Sequence, residues 1–265
     1  MSTPETRPRY VHLGEIRFDA LQADEVVERV RESAVLGRGG RIVTPNVDIV
    51  RQIRRDPDAH QHLRAADLVV ADGAPLVWAS RLSGDPLPER VAGSDLVWSL
   101  SRTAAEHGLR LFLLGGSPLA VENTASVAAD RLREAYPTLT VAGTCCPPIG
   151  FDTNPDLLEE LSSRLNACRP DIVFVGLGFP KQEQVISYLA DRHPTAWYLG
   201  CGAGIDFVAG LRRRAPHWMR RTGLEWLHRL ASEPRRLFVR YVVHDVPAAC
   251  GLLWRSAARR WKRGL

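Results

Sequence analysis

Short apolar runs alternate with longer amphipathic stretches along most of the chain, from about residue 40 to about residue 209. The runs are rich in Val, Leu or Ile and end in Gly, Asp, Thr or Asn, which is typical of buried parallel strands. This alternation predicts an α/β fold, namely a Rossmann-like, mostly parallel sheet flanked by helices. We predict strands at 41–44, 68–71, 110–115, 139–143, 171–176 and 196–200.

The stretches between the apolar runs have helical periodicity. Several begin with proline, which suits the first helical position because the N–H of that residue would have no partner there. The opening segment, HLGEIRFDALQADEVVERV (12–30), predicts a strand or small hairpin followed by a helix of the same domain. We predict further helices at 47–55, 74–83, 94–107, 118–136, 155–168 and 180–191.

Residues 210–265, which we call the tail, differ chemically from the rest of the chain. The tail holds thirteen Arg and one Lys against three carboxylates, a net charge of +11, whereas the whole chain carries +5. Residues 1–209 therefore carry −6. The tail reads as helices broken near Pro216, Pro234 and Pro247, and it contains four of the seven tryptophans. We predict two units: an α/β domain at 1–209 and a basic, Trp-rich helical appendage at 210–265.

The composition is that of an ordinary globular protein, with 45% apolar and 25% charged residues in 265. The first residues lack the apolar core of a secretory signal, and no run of about eighteen uncharged apolar residues occurs. These features predict a cytoplasmic location. Five cysteines without a C-x-x-C pair predict reduced thiols rather than disulfides or a zinc site.

Polar residues and glycines follow the predicted strands at the edge where parallel sheets bind ligands. Glycines there let the backbone approach a ligand and leave helix N-terminal N–H groups available for an anion such as a diphosphate. The same patterns also occur as ordinary turns, both at Gly115–Pro118 and at the ADG that contains Asp72. The strand-end segments are Thr44, Pro45, Asn46 and Asp48; Asp72 and Gly73; Gly115, Gly116 and Ser117; GLGFPKQE (176–183); and GCGAG (200–204).

Several classes of nucleotide and metal site are disfavoured. The GLGFPK segment lacks the third glycine of a dinucleotide fingerprint, and no acidic residue is placed to bind the ribose, which argues against an oxidoreductase. A phosphate-binding lysine motif of the Walker type is absent. No H-E-x-x-H pattern occurs, and the acidic pair at 56–58 lies in a solvated helical stretch, so we predict neither a metal nor a cofactor.

Several specific motifs of the chain match those of a known protein family. They run in one order from about residue 10 to about residue 241, and the most distinctive are PKQE, RAP-x-W-M and LEWL-x-RL-x-x-EP-x-R. The matching segments are TPNVDIV (44–50), ADGAPLVWASRLSGDPLPERVAGSDL (71–96), LFLLGGSP (111–118), PDIVFVGLGFPKQE (170–183), GCGAGIDFVAG (200–210) and RAPHWMRRTGLEWLHRLASEPRRLFVRY (214–241). The chain resembles the WecG/TagA/CpsF glycosyltransferases, also called glycosyltransferase family 26.

This resemblance implies an inverting, metal-independent transferase that moves a sugar from a UDP-sugar to a polyprenyl-diphosphate-linked acceptor. The implied pathways build teichoic acid, common antigen, or capsular and exopolysaccharide at the cytoplasmic face of the membrane. N-acetylmannosamine, its uronic acid, glucuronic acid and glucose are all possible donor sugars. Residues 1–209 would then be the nucleotide-sugar-binding catalytic domain.

The resemblance also implies roles for individual residues. Asp72 matches the proposed general base, and Thr44, Asn46 and Gln182 match polar groups that can hydrogen-bond sugar hydroxyls. Arg90 could orient Asp72 or meet a phosphate, although a solvated surface arginine is the alternative. A lone carboxylate at a strand end can remove the proton of the acceptor hydroxyl, as inversion by single displacement requires.

Positive charge and backbone N–H groups are expected to stabilise the departing diphosphate in place of a metal. Arg229 and Arg236 match arginines of the family's C-terminal appendage, which is thought to fold over the active site. The N–H groups at Gly115, Gly116 and Gly178 are the predicted backbone donors. The remaining candidates for the substrate pocket are Ser117, Gly176, Pro180, Lys181, Glu183, Gly202 and Asp206.

The tail also bears on the partners of the protein. Arginines interspersed with aromatic residues suit an anionic bilayer, and charges within 237–254 predict a tail that lies on the membrane rather than spans it. A basic helix that merely packs on the domain, or a nucleic-acid footprint, are alternatives. The competing function is a non-catalytic nucleotide-sugar or nucleic-acid binding module, and homo-oligomerisation is possible.

Overall fold

The computed structural model describes residues 10–118, 120 and 123–263, and a six-stranded parallel sheet lies at its centre. In chain order the strands are β1 (Tyr10–Leu13), β2 (Ile16–Asp19), β3 (Gly40–Val43), β4 (Leu68–Val69), β5 (Arg110–Gly115), β6 (Thr140–Cys145), β7 (Ile172–Gly176) and β8 (Trp197–Gly200). The central sheet has the order β4-β3-β8-β7-β5-β6, with all neighbours parallel. β1 and β2 form an antiparallel hairpin. The predicted Rossmann-like sheet is confirmed.

Helices flank both faces of the sheet and form the tail. Between the strands lie α1 (Ala23–Val35), α2 (Val47–Ile53), α3 (Pro57–Arg64), α4 (Ala74–Leu82), α5 (Gly93–His107), α6 (Thr124–Ala135), α7 (Pro155–Cys168) and α8 (Lys181–Arg192). After β8 come α9 (Gly204–Val208), α10 (His217–Thr222), α11 (Glu225–Ser232), α12 (Pro234–Phe238) and α13 (Val246–Arg263). A π-helical segment, Val239–Asp245, joins α12 to α13, and a short 3-10 helix spans Phe151–Thr153.

Side chains of the central strands fill a core on each face of the sheet. Leu111 and Leu113 of β5 pack with Phe174 of β7 on one face, whereas Phe112 and Leu114 belong to the core on the other face. All are at most 1% exposed. Because burial of each side chain contributes about 1.5–3 kcal/mol, this doubly buried layer is a rigid base for the loops at its carboxyl edge.

Most predicted elements agree with the structure within a few residues, and β5 and α7 have the predicted bounds. The predicted start of the helix at residue 118 is wrong, because Asn123 accepts a hydrogen bond from the Ser126 N–H at 3.2 Å and caps α6 there. Part of the predicted extension, at 119, 121 and 122, lies outside the described residues. The helical stretch expected around residues 56–58, for which no bounds were predicted, is the separate helix α3; it begins at Pro57, and Asp56 caps it.

The tail packs against the α/β domain. Leu237, Tyr241 and Leu252 are buried, and α13 lies along α4. Breaks occur near Pro216 and Pro234 as predicted, but the predicted break near Pro247 is wrong: helical structure continues from residue 234 to residue 263. The π-helical turn immediately before Pro247 changes the hydrogen-bond spacing where proline lacks a donor. The domain boundary at residue 209 stays a prediction.

Leu252 offers a test of this packing, since it is 3% exposed and belongs to the core that contains Leu76 and Ala79 of α4. Leu252→Ala is expected to lower the free energy of unfolding by about 2–5 kcal/mol. It should also speed amide hydrogen exchange in α13. Trp254→Ala is the control, because Trp254 is 73% exposed and surface substitutions change stability by about 0.5 kcal/mol or less. Equal losses in the two variants would contradict the packing described here.

Candidate active site

A cavity of about 710 Å³ lies at the carboxyl edge of the sheet, between the strand ends and the tail. Its floor is formed by residues that follow β3, β4, β7 and β8, and its cover by residues of α11, α12, the π-helical segment and α13. The cavity wall contains most of the candidate residues: Thr44, Asn46, Asp72, Arg90, Gly116, Ser117, Gly176, Gly178, Gln182, Gly202, Asp206, Arg229 and Arg236.

Asp72 stands at the cavity wall just beyond β4. Its backbone N–H donates to the Pro45 carbonyl at 2.9 Å, and the next residue, Gly73, has a φ of +148° that favours glycine at the start of α4. No group of the described residues donates a hydrogen bond to the Asp72 carboxylate, and the nearest cation is Arg90, with its Nη1 atom 3.6 Å from Oδ1. Burial raises the pKa of Asp72 to about 6, although the charge of Arg90 opposes the rise.

Arg90 lies at the centre of a cluster of charges. Its Nη1 atom donates to Glu225 Oε2 at 2.9 Å, and its Nη2 atom lies 3.3 Å from Asp95 Oδ2. Asp95 Oδ1 in turn lies 2.8 Å from Arg214 Nη2 and 3.2 Å from Arg220 Nη1. The side chain of Arg90 is only 19% exposed, so it is not a solvated surface arginine.

Thr44 and Asn46 come from the loop after β3. Thr44 is 7% exposed and faces Gly93, where an added Cβ would approach the Thr44 hydroxyl to 2.9 Å. The Asn46 side-chain oxygen accepts from the Ile49 N–H at 3.1 Å and caps α2. Both residues line the cavity, and the cap holds Asn46 in place.

Gln182 holds two strand-end turns together. Its Oε1 atom accepts from the N–H groups of Gly178, at 3.2 Å, and Gly202, at 3.1 Å, while its Nε2 atom donates to Glu183 Oε1 at 3.0 Å. The side chain is 4% exposed. A role for Gln182 as a ligand of the donor sugar stays a prediction, because most of its amide capacity is used within the protein.

Two of the predicted backbone anion donors are also engaged. The Gly178 N–H donates to Gln182, and the Gly116 N–H donates to the Gly176 carbonyl at 3.1 Å. Gly115 is absent from the cavity wall and packs against Gly176, whose carbonyl oxygen would lie 2.5 Å from an added Cβ. In this structure, these glycines shape the turns rather than present donors to an anion.

Three further candidates lie behind the cavity wall. Pro180 stands at the start of α8, and Lys181 Nζ pairs with Asp152 Oδ1 at 2.8 Å. Glu183 is 3% exposed, and burial raises its pKa to about 7. Glu183 therefore reaches the site only through Gln182, and the prediction that Lys181 shapes the pocket has no support from its contacts.

Arginines of the tail form most of the positive charge at the cavity. Arg212 pairs with Glu233 and lies 3.1 Å from Asp206 Oδ2, and Arg236 Nε lies 2.5 Å from Glu233 Oε2. Arg229 has no ion pair with a described residue; its guanidinium lies 5.7 Å from the Phe207 ring. Among the described residues, six arginines line the cavity: Arg90, Arg212, Arg220, Arg229, Arg236 and Arg240.

Sequence reasoning did not select several residues of this cluster. Asp95, Arg212, Arg220 and Glu225 were visible only as part of the motif segments or of the charge count. The density of arginine in the tail was a valid signal for an anion site, but it did not distinguish the arginines that face the cavity from those that face solvent.

The buried thiol at the cavity wall is not suited to act as a nucleophile, and no clustered metal site is found in the described part of the chain. Burial raises the pKa of Cys201, at the cavity wall, to about 12, so this thiol stays protonated and unreactive at neutral pH. The described residues include no group of three or more His, Cys, Asp or Glu side chains that could hold a metal ion. Metal independence stays a prediction.

A parallel α/β sheet that carries a cavity rich in arginine at its carboxyl edge is typical of proteins that bind anionic, nucleotide-like ligands. Residues 11–263 match the model of the glycosyl transferase WecG/TagA/CpsF family. The chain therefore belongs to this family, which confirms the resemblance seen in the sequence.

Two Bacillus relatives are similar over most of their length. Both are named N-acetylglucosaminyldiphosphoundecaprenol N-acetyl-beta-D-mannosaminyltransferase. The one from Bacillus spizizenii is 33% identical over 199 residues, which cover 75% of this chain and 74% of the relative. The one from Bacillus subtilis is 32% identical over 198 residues, which cover 75% of this chain and 73% of the relative.

The hydrogen bonds of Gln182 lead to a stability prediction. Gln182→Met removes the acceptor of two N–H groups, which is expected to lower the free energy of unfolding by about 1–3 kcal/mol. Chemical denaturation measures the loss, and Gln184→Met, at an exposed position of the same helix, is the matched control. If Gln182→Met left the stability unchanged and weakened only the binding of the donor, Gln182 would act on the donor and not on the two strand-end turns.

Proposed function

We propose that the protein transfers a hexose from a UDP-sugar to a polyprenyl-diphosphate-linked sugar, with inversion at the anomeric carbon. Family membership and the two Bacillus relatives support this proposal. The names of those relatives make N-acetylmannosamine the first donor sugar to test and an N-acetylglucosaminyl diphosphate polyprenol the first acceptor. The uronic acid of N-acetylmannosamine, glucuronic acid and glucose are the other candidate donors.

The observation that carries the proposal is that Asp72 lines the same cavity as the arginines of the tail. With a pKa of about 6, Asp72 is ionised at neutral pH and is yet a stronger base than an ordinary aspartate. In the proposed reaction the acceptor oxygen bonds to the anomeric carbon and its proton passes to Asp72. The bond from that carbon to the UDP oxygen breaks, and its electron pair leaves with UDP.

Arginines at the cavity wall are proposed to stabilise the charge that develops on the departing diphosphate. Arg229 has no competing ion pair within the described chain, and Arg236 and Arg212 share Glu233 at the rim. A guanidinium can bind two phosphate oxygens at once, which makes these side chains suitable partners for a diphosphate. We propose that they do the work that a metal ion does in other transferases.

Polar groups of the β3 loop are proposed to bind the sugar. Thr44 and Asn46 line the same cavity as Asp72 and carry no charge, so they can hydrogen-bond hydroxyl groups without neutralising the base. Gly93 lets the start of α5 pack closely against the Thr44 hydroxyl, because an added Cβ would lie 2.9 Å from it. We propose that this side of the cavity distinguishes among hexoses.

Asp72→Asn tests the reaction. The variant keeps the shape of the side chain but cannot accept the proton, so UDP release that depends on the lipid acceptor should fall by about 10²- to 10⁴-fold. Measured with a panel of UDP-sugars and a short-chain acceptor, wild-type activity should persist in EDTA. Asp130→Asn, on the exposed side of α6, is the control. Equal rates in Asp72→Asn and wild type would exclude Asp72 as the base, and no turnover with any donor would favour a binding module.

We further propose that the tail associates with the anionic inner face of the cell membrane. The segment Pro234–Trp261 is long and apolar enough, by length and composition, to cross a membrane. However, Arg240 of this segment lies 2.9 Å from Asp48, and Asp245 lies 3.7 Å from Arg51 of α2. Because these contacts hold the middle of the helix on the domain, a peripheral position is favoured over a spanning one.

Exposed tryptophans and arginines of α13 provide the test. Trp254 and Trp261 are 73% and 74% exposed, and Arg255 and Arg260 are exposed as well. Arg255→Gln combined with Arg260→Gln should weaken flotation with anionic vesicles by about 1 kcal/mol per charge, and Trp254→Ala should weaken it further. Arg133→Gln, on α6, is the control. Binding that is equal for neutral and anionic vesicles would contradict an electrostatic attachment.

A further inference from the structure

The Nη1 atom of Arg90 lies between two carboxylates at the proposed reaction centre, at unequal distances. Its Nη1 atom makes a hydrogen bond of 2.9 Å to Glu225 of the tail but stands 3.6 Å from Asp72 of the domain. On its other side, Nη2 lies 3.3 Å from Asp95. Arg90 therefore makes no hydrogen bond to Asp72, and the Asp72 carboxylate keeps its lone pairs available towards the cavity.

We propose that Glu225 is a positioning residue for the transfer reaction: by holding the Arg90 guanidinium, it prevents a close ion pair between Arg90 and Asp72. The inference rests on the proposed function, in which Asp72 takes the proton of the acceptor. A close pair with arginine would stabilise the ionised carboxylate and make it a weaker base. Glu225 thus preserves the basicity that the reaction needs.

The charge balance of the tail supports this assignment. The tail has only three acidic residues among fourteen basic ones. Glu225, at the first position of α11, is 16% exposed at its side chain, and its ion pair joins Arg90 of the α/β domain rather than a neighbouring arginine of the tail. Glu233, by contrast, pairs with Arg212 and Arg236 of the tail itself.

Burial and four charged groups act on the pKa of Asp72. Burial raises it most; the charges of Arg90 and Arg229 lower it, whereas those of Glu225 and Asp95 raise it. Asp95 also faces Arg214 and Arg220, which offset its charge. Glu225 therefore acts on Asp72 in two ways with the same sign, directly through its charge and indirectly through Arg90.

The position of α11 on the α/β domain therefore controls how strong a base Asp72 is. When Glu225 is in place, Arg90 stays with Glu225 and Asp95. Without Glu225, the same guanidinium needs to move only from 3.6 Å to hydrogen-bond distance to close on Asp72. The tail then contributes to the chemistry of the domain in addition to any contact with diphosphate or membrane.

Glu225→Gln in the full chain tests the proposal, with the pH dependence of kcat/KM as the first measurement. Freed from Glu225, Arg90 should pair with Asp72, and the acidic limb should move to lower pH by on the order of one pH unit. The rate on the plateau should fall by up to about 10-fold, less than the loss on removing the base itself. Glu225→Asp should retain part of the wild-type profile. Glu160→Gln, in an exposed ion pair with Arg164 on α7, should leave the profile unchanged.

A carbon-13 NMR titration of the Asp72 carboxyl gives a second readout that needs no substrate. The pH at the midpoint of this titration should be lower in Glu225→Gln than in the wild type. When Arg90→Gln is already present, adding Glu225→Gln should change the midpoint much less. An unchanged midpoint in Glu225→Gln would overturn the proposal. So would an equally large shift of the midpoint in the Arg90→Gln background, because Glu225 would then act on Asp72 through its charge alone. Should Asp72→Asn remain active while the midpoint still moves, the proposed base would be wrong but the control of Asp72 by Glu225 would stand.

Discussion

The contact between Arg90 and Glu225 joins the two chemically different parts of this protein. It sets an arginine of the acidic α/β domain against a carboxylate of the basic tail, at 2.9 Å and largely shielded from water. Partly buried charges are costly unless they are paired. The pairing links the domain that carries Asp72 to α11 of the tail, which forms part of the cover over the cavity.

The same principle explains how so many arginines can line one cavity. Five of its six arginines have a carboxylate partner within the described chain: Arg90, Arg212, Arg220, Arg236 and Arg240. An anionic substrate would exchange partners with Asp or Glu side chains instead of neutralising isolated charges. Binding of a diphosphate is therefore expected to rearrange the ion pairs of the tail. The degree of order of the tail segments that cover the cavity should change as a result.

Asp48 extends this network to the far side of the cavity. It is 5% exposed and holds Arg51 at 2.5 Å and Arg240 at 2.9 Å, while Asp245 lies beside both arginines. Burial and the neighbouring charge of Asp48 raise the pKa of Asp245 to about 6. The π-helical segment that carries Arg240 is thus fixed to α2 by charge, and the buried Leu252 fixes the following helix to α4.

The sequence by itself determined the elements and their class. Continuous apolar runs and helical periodicity placed all six strands of the central sheet and most helices within two residues, because burial on both faces of a parallel sheet leaves continuous apolar runs. The strand-end pattern also placed Asp72 and Asn46 at one edge of the sheet, since parallel strands end at the same edge, and the family resemblance added Arg90. Only the tertiary structure decided which groups pair. In the folded protein the Gln182 side-chain amide accepts a hydrogen bond from the Gly178 N–H. Lys181 pairs with Asp152, and Glu225 pairs with Arg90. These pairings join residues far apart in the chain, and local patterns carry no information about distances that only packing sets.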